Sequence, residues 1–247
     1  STPAAICGTG TVVLGATAST GTINWYSALT GGTSLATGAS FTTPSIAATT
    51  TYFVDATANG CTTATRTSVA ATVNAIPTIT ASTPASRCGT GTVVLGATAS
   101  AGTINWYAAA TGGTSLATGA SFTTPSIAAT TTYFVDATAN GCTTATRTSV
   151  AATVNAIPTA TATAATTTTL CTGGSVVVNA NTGTGLTYQW LNNNAPIATA
   201  TNASYTATAA GSYRVLVSNA SGCRDTSTAV AVIVNTIPTI TASTPAS

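Results

Sequence analysis

The sequence predicts an all-β chain, a tandem array of three β-sandwich domains forming an extended rod, and three observations carry that prediction. Residues 7–78 return as residues 88–159, displaced by 81 positions, with only Thr20/Ala101, Ser27/Ala108 and Leu29/Ala110 changed. A divergent third unit follows in parallel, with "LCTGGSVVVNAN" around Cys171, "LTYQWLNNNAPI" around Trp190 and "AGSYRVLVSNASGC" ending at Cys223. Within each unit, short runs such as "TVVLGAT", "TINWY", "TTYFVDAT" and "TSVAATVN" are β-branched and nearly alternating, and no stretch keeps a helical stripe for three turns. Repeats of about eighty residues with several strands each read as sandwiches. The expected boundaries are 1–76, 77–157 (a near-identical copy) and 158–237 (divergent), with 238–247 as the first strand of a following repeat.

Composition excludes much. The 247 residues hold five Arg, three Asp and no His, Lys, Glu or Met. A general base, a nucleophile with an activating partner and a metal set are all short of residues, so no catalysis and no cofactor are expected. The small positive excess is scattered, which argues against nucleic acid. No apolar window approaches the length of a membrane helix, so no membrane span is expected in this segment. The sequence opens without a Met or a charged and apolar leader, and any targeting segment is expected to lie outside it.

The aromatics refine the fold. Trp25, Trp106 and Trp190 follow the first Cys of their units by 18, 18 and 19 residues, on what would be strand C. Tyr52, Tyr133 and Tyr213 begin the penultimate strand, where an immunoglobulin-like sandwich has its tyrosine corner. Core packing explains both sets, and carbohydrate stacking is the functional alternative. A glycan-binding module would need further exposed aromatics, with Tyr26, Tyr107 and Phe53 the candidates in the duplicated units.

The pattern "INWY", "TGGTSLATGASFTTPSI", "TTTYFVDATANGC" and "VAATVNAIPT" resembles the bacterial immunoglobulin-like repeats found in tandem in large cell-surface and gliding-motility adhesins, often exported by the type IX route. Residues 7–78 and 88–159 match it throughout, and the third unit is similar to a related immunoglobulin-like or PKD-like module. The resemblance implies an extracellular stalk or filament segment on a bacterial surface. It implies no catalytic residue and does not identify a ligand.

Six Cys fall two to a unit, so pairing within each unit is the economical connectivity: Cys7 with Cys61, Cys88 with Cys142 and Cys171 with Cys223. Each bridge would tie the start of strand B to the hairpin between the last two strands. Zinc would need His or further Cys ligands, so the compartment is read as oxidising. Asp55 and Arg66 lie nearly symmetrically about the "NGC" turn, as do Asp136 and Arg147, and are expected to form exposed cross-strand salt bridges of roughly 0–1 kcal/mol. A calcium site fails for lack of carboxylates. Arg87 and Arg224 have no such partner in sequence and are read as solvated.

"TATATAATTTTL" before Cys171 reads as a linker plus an edge strand, with an O-glycosylated or ice-facing Thr array as the alternative. Asn202 and Asn219 begin "NAS" sequons, incidental in a bacterium and markers of exposed loops in another host. Each unit closes on "VNAIPT" or "VNTIPT", whose Pro stiffens the connection to the next. The expected partners are neighbouring repeats of the same protein, with lateral self-association favoured by Thr-rich strands of low charge. "NTIPTITASTPAS" at the end copies "NAIPTITASTPAS" up to Ser86. That final strand either begins an unseen unit or completes a neighbouring molecule, as in donor-strand polymers. The repetition of "STPA" at both ends weighs against a clean handover.

Overall fold

The structure, a computed structural model, describes residues 5–242, and every regular element in that range is a β-strand. Alternation on the strands sets the layers. In Thr22–Tyr26, Ile23 and Trp25 point inward while their neighbours face outward, and on Thr50–Ala58 Tyr52, Val54 and Ala56 share that inward face whereas Asp55 lies beside Asn24 on the other. By contacts the chain divides into two compact units: Ser1–Ala85 with Thr92–Pro125 and Thr131–Ala152, and Ser86–Gly91 with Ser126–Thr130 and Thr153–Ser247.

The first unit holds the duplicated sheets. One sheet orders Ala36–Thr37, Thr22–Tyr26, Thr50–Ala58 and Cys61–Thr62, with Thr67–Ala71 also on Thr50–Ala58, and Val13–Gly15 pairs separately with Ser40–Thr42. Val12, Leu14, Ile23, Trp25, Phe41, Tyr52 and Ala71 form the core between them. Trp25 stacks on Phe41 at 5.7 Å, and Phe41 meets Tyr52 edge-on at 5.2 Å. The copy repeats this with Thr103–Tyr107, Ala117–Thr118 and Thr131–Ala139 facing Ile79–Thr83, Val94–Ala99 and Ser121–Thr123. Trp106, Phe122 and Tyr133 stack in the same order. The hairpins before Cys61 and Cys142 turn on Asn-Gly pairs with positive φ throughout (Asn59 51°, Gly60 79°; Asn140 49°, Gly141 78°). That is the two-residue turn whose twist matches the flanking strands.

In the second unit, Ala162–Ala164, Val176–Ala180 and Ser204–Ala207 form one sheet. Thr169–Cys171, Val230–Asn235, Gly211–Ser218, Thr187–Asn192 and Ala195–Pro196 form the other, with Arg224–Thr226 on Gly211–Ser218. Trp190, Val178, Val215 and Val217 are buried together, as are Val176, Ala207, Tyr213 and Val232. The Tyr213 hydroxyl donates to the Ala209 carbonyl at 2.9 Å, closing a tyrosine corner. The Thr-rich run contributes the two strands Ala162–Ala164 and Thr169–Cys171. Residues 238–242 belong to no strand, and the rest of the expected strand 238–247 lies outside the described residues.

Candidate functional site: the repeat junctions

The disulfides are not the expected ones. Cys7 bonds Cys142 and Cys88 bonds Cys223, each with Cα atoms 5.5 Å apart and 135 positions between partners. Cys61 and Cys171 are free and exposed. The pairings Cys7–Cys61, Cys88–Cys142 and Cys171–Cys223 are therefore corrected, and strand geometry gives the reason. Ile6–Cys7 runs parallel to Val73–Asn74 with Cys7 opposite Asn74, and Thr169–Cys171 puts Cys171 opposite Asn235. Gly89 likewise donates to the Asn155 carbonyl at 2.9 Å. Each first Cys thus sits where its unit's last strand ends.

Each second Cys sits at the hairpin where that strand begins: Cys61 faces Ala58, and Cys142 faces Ala139. The stretch from Thr67 to Asn74 alone spans roughly 23 Å at ~3.3 Å per residue. A disulfide needs Cα atoms within about 7 Å. The two cysteines of one sequence repeat lie at opposite poles, whereas the first Cys of one repeat and the hairpin Cys of the next meet, in each case inside one compact unit. The junctions carry polar contacts as well. The Asn74 amide donates to the Asn140 carbonyl at 2.9 Å, and the Asn219 amide to the Ala156 carbonyl at 2.8 Å. Asn219 also accepts from the Ser221 and Cys223 backbone, so this sequon residue is part of a half-buried turn rather than a free loop.

A second cluster repeats in both copies. Arg66 Nε lies 3.2 Å from Asp55 Oδ2, and Arg147 Nε lies 3.1 Å from Asp136 Oδ2. The strands Thr50–Ala58 and Thr67–Ala71 pair Val54 with Thr67, and this register carries Arg66 to Asp55. The pairs are buried, contrary to the expected exposure: the side chains of Arg66 and Asp55 are 13% and 6% accessible. Neutral donors and acceptors complete them. Arg66 donates to the carbonyls of Ala28 (2.8 Å) and Gly31 (2.7 Å), and Asn24 donates to Asp55 at 2.9 Å. The guanidinium lies 3.2 Å over the Tyr26 ring, as that of Arg147 does over Tyr107. One face of each of these candidate stacking tyrosines is therefore taken by the protein itself, and Phe53 is half-buried.

The three Trp side chains are fully buried, their indole N–H groups donating to Gly38, Gly119 and Asn202 carbonyls. Arg87, read as solvated, is half-buried and donates from Nε to the Gly89 carbonyl at 3.0 Å, while Arg224 is exposed. Among the described residues no three His, Cys, Asp or Glu side chains converge, and no helix is long and apolar enough to cross a membrane. Sequence reasoning missed the junction pairing and the Arg–Tyr stacking. The signal for the first was the length of "TSVAATVN" between the hairpin Cys and the strand end.

No curated protein matches the chain. Among solved structures it is similar to an I-band fragment of titin at 13% identity, covering 94% of this chain and 96% of that one with a TM-score of 0.46. Extracellular domains 3-5 of Drosophila OTK align at 11% identity, 94% of each chain and a TM-score of 0.39. The sequence itself matches the family described as Ig-like domain CHU_C associated, over residues 1–74 and again over residues 75–156. All-β, built of tandem immunoglobulin-like repeats and matched over more than half its length, the chain belongs to the CHU_C-associated Ig-like domain family.

Proposed function

We propose that this chain is a structural stalk or filament segment of a repetitive extracellular adhesin on a bacterial surface, holding an adhesive or motility-related tip away from the cell. In this reading it is three sandwiches, 1–76, 77–157 and 158–237, forming an extended rod. One observation carries the reading: successive repeats are joined twice, by the backbone and by a disulfide from one repeat to the next. A second covalent link restrains bending and twisting at the junction, which a load-bearing rod needs and a lone binding module does not. Membership of a family associated with type IX secretion supports export by that route, and the disulfides agree with an oxidising compartment. Cryo-electron microscopy of material from the cell surface tests the reading. Filaments with a regular bead spacing are expected, and a compact particle capping a different structure would overturn it.

A further inference from the structure

Both junction disulfides are lopsided in the same sense. Cys142 and Cys223, the hairpin partners, are each 1% exposed, whereas Cys7 is exposed and Cys88 half-buried. The positions of the four residues explain the difference. Cys142 stands opposite Ala139 on the strand Thr131–Ala139, whose Ala137 is fully buried. Cys223 closes a turn in which its N–H donates to the Asn219 side chain and its carbonyl accepts from the Asn219 N–H, both at 3.0 Å. Cys7 and Cys88 instead end the short strands Ile6–Cys7 and Ala85–Cys88 at the rim of their sheets. The residues leading into Cys88, 79–87, are all described, so the asymmetry at that bridge does not depend on how much chain precedes the cysteine.

Thiol–disulfide exchange depends on which sulfur is attacked and on access to it. The entering thiolate approaches along the line of the bond it breaks, from the side opposite the leaving sulfur. Attack on Cys142 or Cys223 therefore has to come through packed protein. Attack on Cys7 or Cys88 comes from the solvent side of the bridge.

We infer that Cys7 and Cys88 are S-thiolation sites at which a small thiol, such as glutathione or free cysteine, opens the junctions, with Cys142 and Cys223 as the leaving sulfurs. The small thiolate bonds the Cys7 sulfur, the Cys7–Cys142 bond breaks, and Cys142 leaves as a thiolate that takes up the proton the entering thiol gave. One disulfide replaces another, so this step needs no separate oxidant or reductant. The cap sits on the last-strand end of one repeat. The freed Cys142 stays in the hairpin of the next, which the backbone and the Asn74 to Asn140 hydrogen bond of 2.9 Å still hold nearby. From there its thiolate attacks the Cys7 sulfur in return and expels the cap. Cys88 and Cys223 act in the same way. Each junction is thus a latch that excess small thiol opens and that closes by itself when the thiol is withdrawn. The inference goes beyond the stalk reading and does not rest on it.

The test uses the full chain carrying Cys61→Ser and Cys171→Ser, which keeps both bridges and removes the two free, exposed thiols. The folded protein is treated with glutathione, quenched in acid, alkylated and mapped by mass spectrometry. Glutathione is expected on Cys7 over Cys142, and on Cys88 over Cys223, by a factor of about ten or more. In guanidinium chloride, where the fold no longer shields either sulfur, each pair should approach equal capping. Removing glutathione by gel filtration without air should restore both bridges and release one glutathione per capped junction. Equal capping within each pair in the folded chain, a preference that survives in denaturant, or caps that persist after glutathione is withdrawn would overturn the proposal.

Discussion

Reduction should lengthen the stretched chain about threefold, because the disulfides reroute force. When the two ends are pulled, load reaching Cys7 crosses to Cys142, and load leaving through Cys223 enters from Cys88. Between those two nodes run three backbone branches: residues 7–88, 142–223 and 88–142. The last is the shortest, so it alone tightens, and the other two stay slack. The loaded route, including both tails, is about 84 residue steps, or roughly 290 Å at ~3.4 Å per residue. With both bridges reduced the same chain extends to roughly 840 Å. Single-molecule force spectroscopy with and without dithiothreitol reads this directly. One unfolding event of limited extension is expected in the oxidised chain, and several with about 550 Å of added length after reduction. Equal extension under both conditions would refute the connectivity. An oxidised extension set by bridges within each unit would restore the pairing that sequence suggested.

Three further predictions concern the sandwiches. Arg147→Ala removes two backbone hydrogen bonds and the ring contact with Tyr107, and leaves Asp136 buried with Asn105 as its remaining side-chain partner of opposite polarity. Breaking a buried pair from one side costs about 4 kcal/mol, so denaturant titration should show a loss of that order, while a loss under about 1 kcal/mol would mean the pair behaves as an exposed one. Burial, with repulsion from Tyr205, raises the Tyr213 pKa above its ordinary 10.0. The folded state then holds a proton that the unfolded chain releases. The associated stability is full below pH 10 and is lost as pH rises through the folded value, and Tyr213→Phe should flatten that alkaline decline in melting temperature. Gly102 has φ +82°, and a Cβ there would overlap the Thr138 carbonyl. Gly102→Ala should therefore destabilise by at least about 2 kcal/mol in thermal unfolding, whereas Gly113→Ala, with open space around it, should cost less.

The strands and their inward faces were legible because alternation is a local signal. "TINWY" and "TTYFVDATA" fix which side of each strand is buried without reference to anything distant. The Asp55–Arg66 contact was legible for a similar reason, since an Asn-Gly hairpin sets the register of what flanks it. Its burial was not, because the Ala28 and Gly31 carbonyls that seal it come from a loop some 35 residues away. Disulfide connectivity was illegible for a different reason. Cysteine spacing counts residues along the chain, whereas pairing depends on which pole of a sandwich each cysteine occupies. The strand expected over 238–247 was readable only as a copy of another segment, and in the described part, residues 238–242, no strand forms.

The rerouted load also bears on which repeat must be strong. In the oxidised chain the tightening branch, residues 88–142, contains Val94–Ala99, Thr103–Tyr107, Ser121–Thr123 and Thr131–Ala139. Those strands are held from outside the branch. Ile79–Thr83 pairs along Val94–Ala99, residues 148–152 pair along Thr131–Ala139, and Arg147 clasps the loop at Ala109 and Gly112. All three supports belong to slack branches, so tension does not pull on them directly while it acts on what they hold. Extending the middle repeat therefore means shearing it from strands that stay in place, with two ladders failing at once. A bridge confined to each unit would shield most of that unit and leave its edge strands to be peeled one pair at a time. Tying neighbour to neighbour instead concentrates load on the second repeat, whose Val94–Ala99 is paired on both edges, and the first repeat is spared.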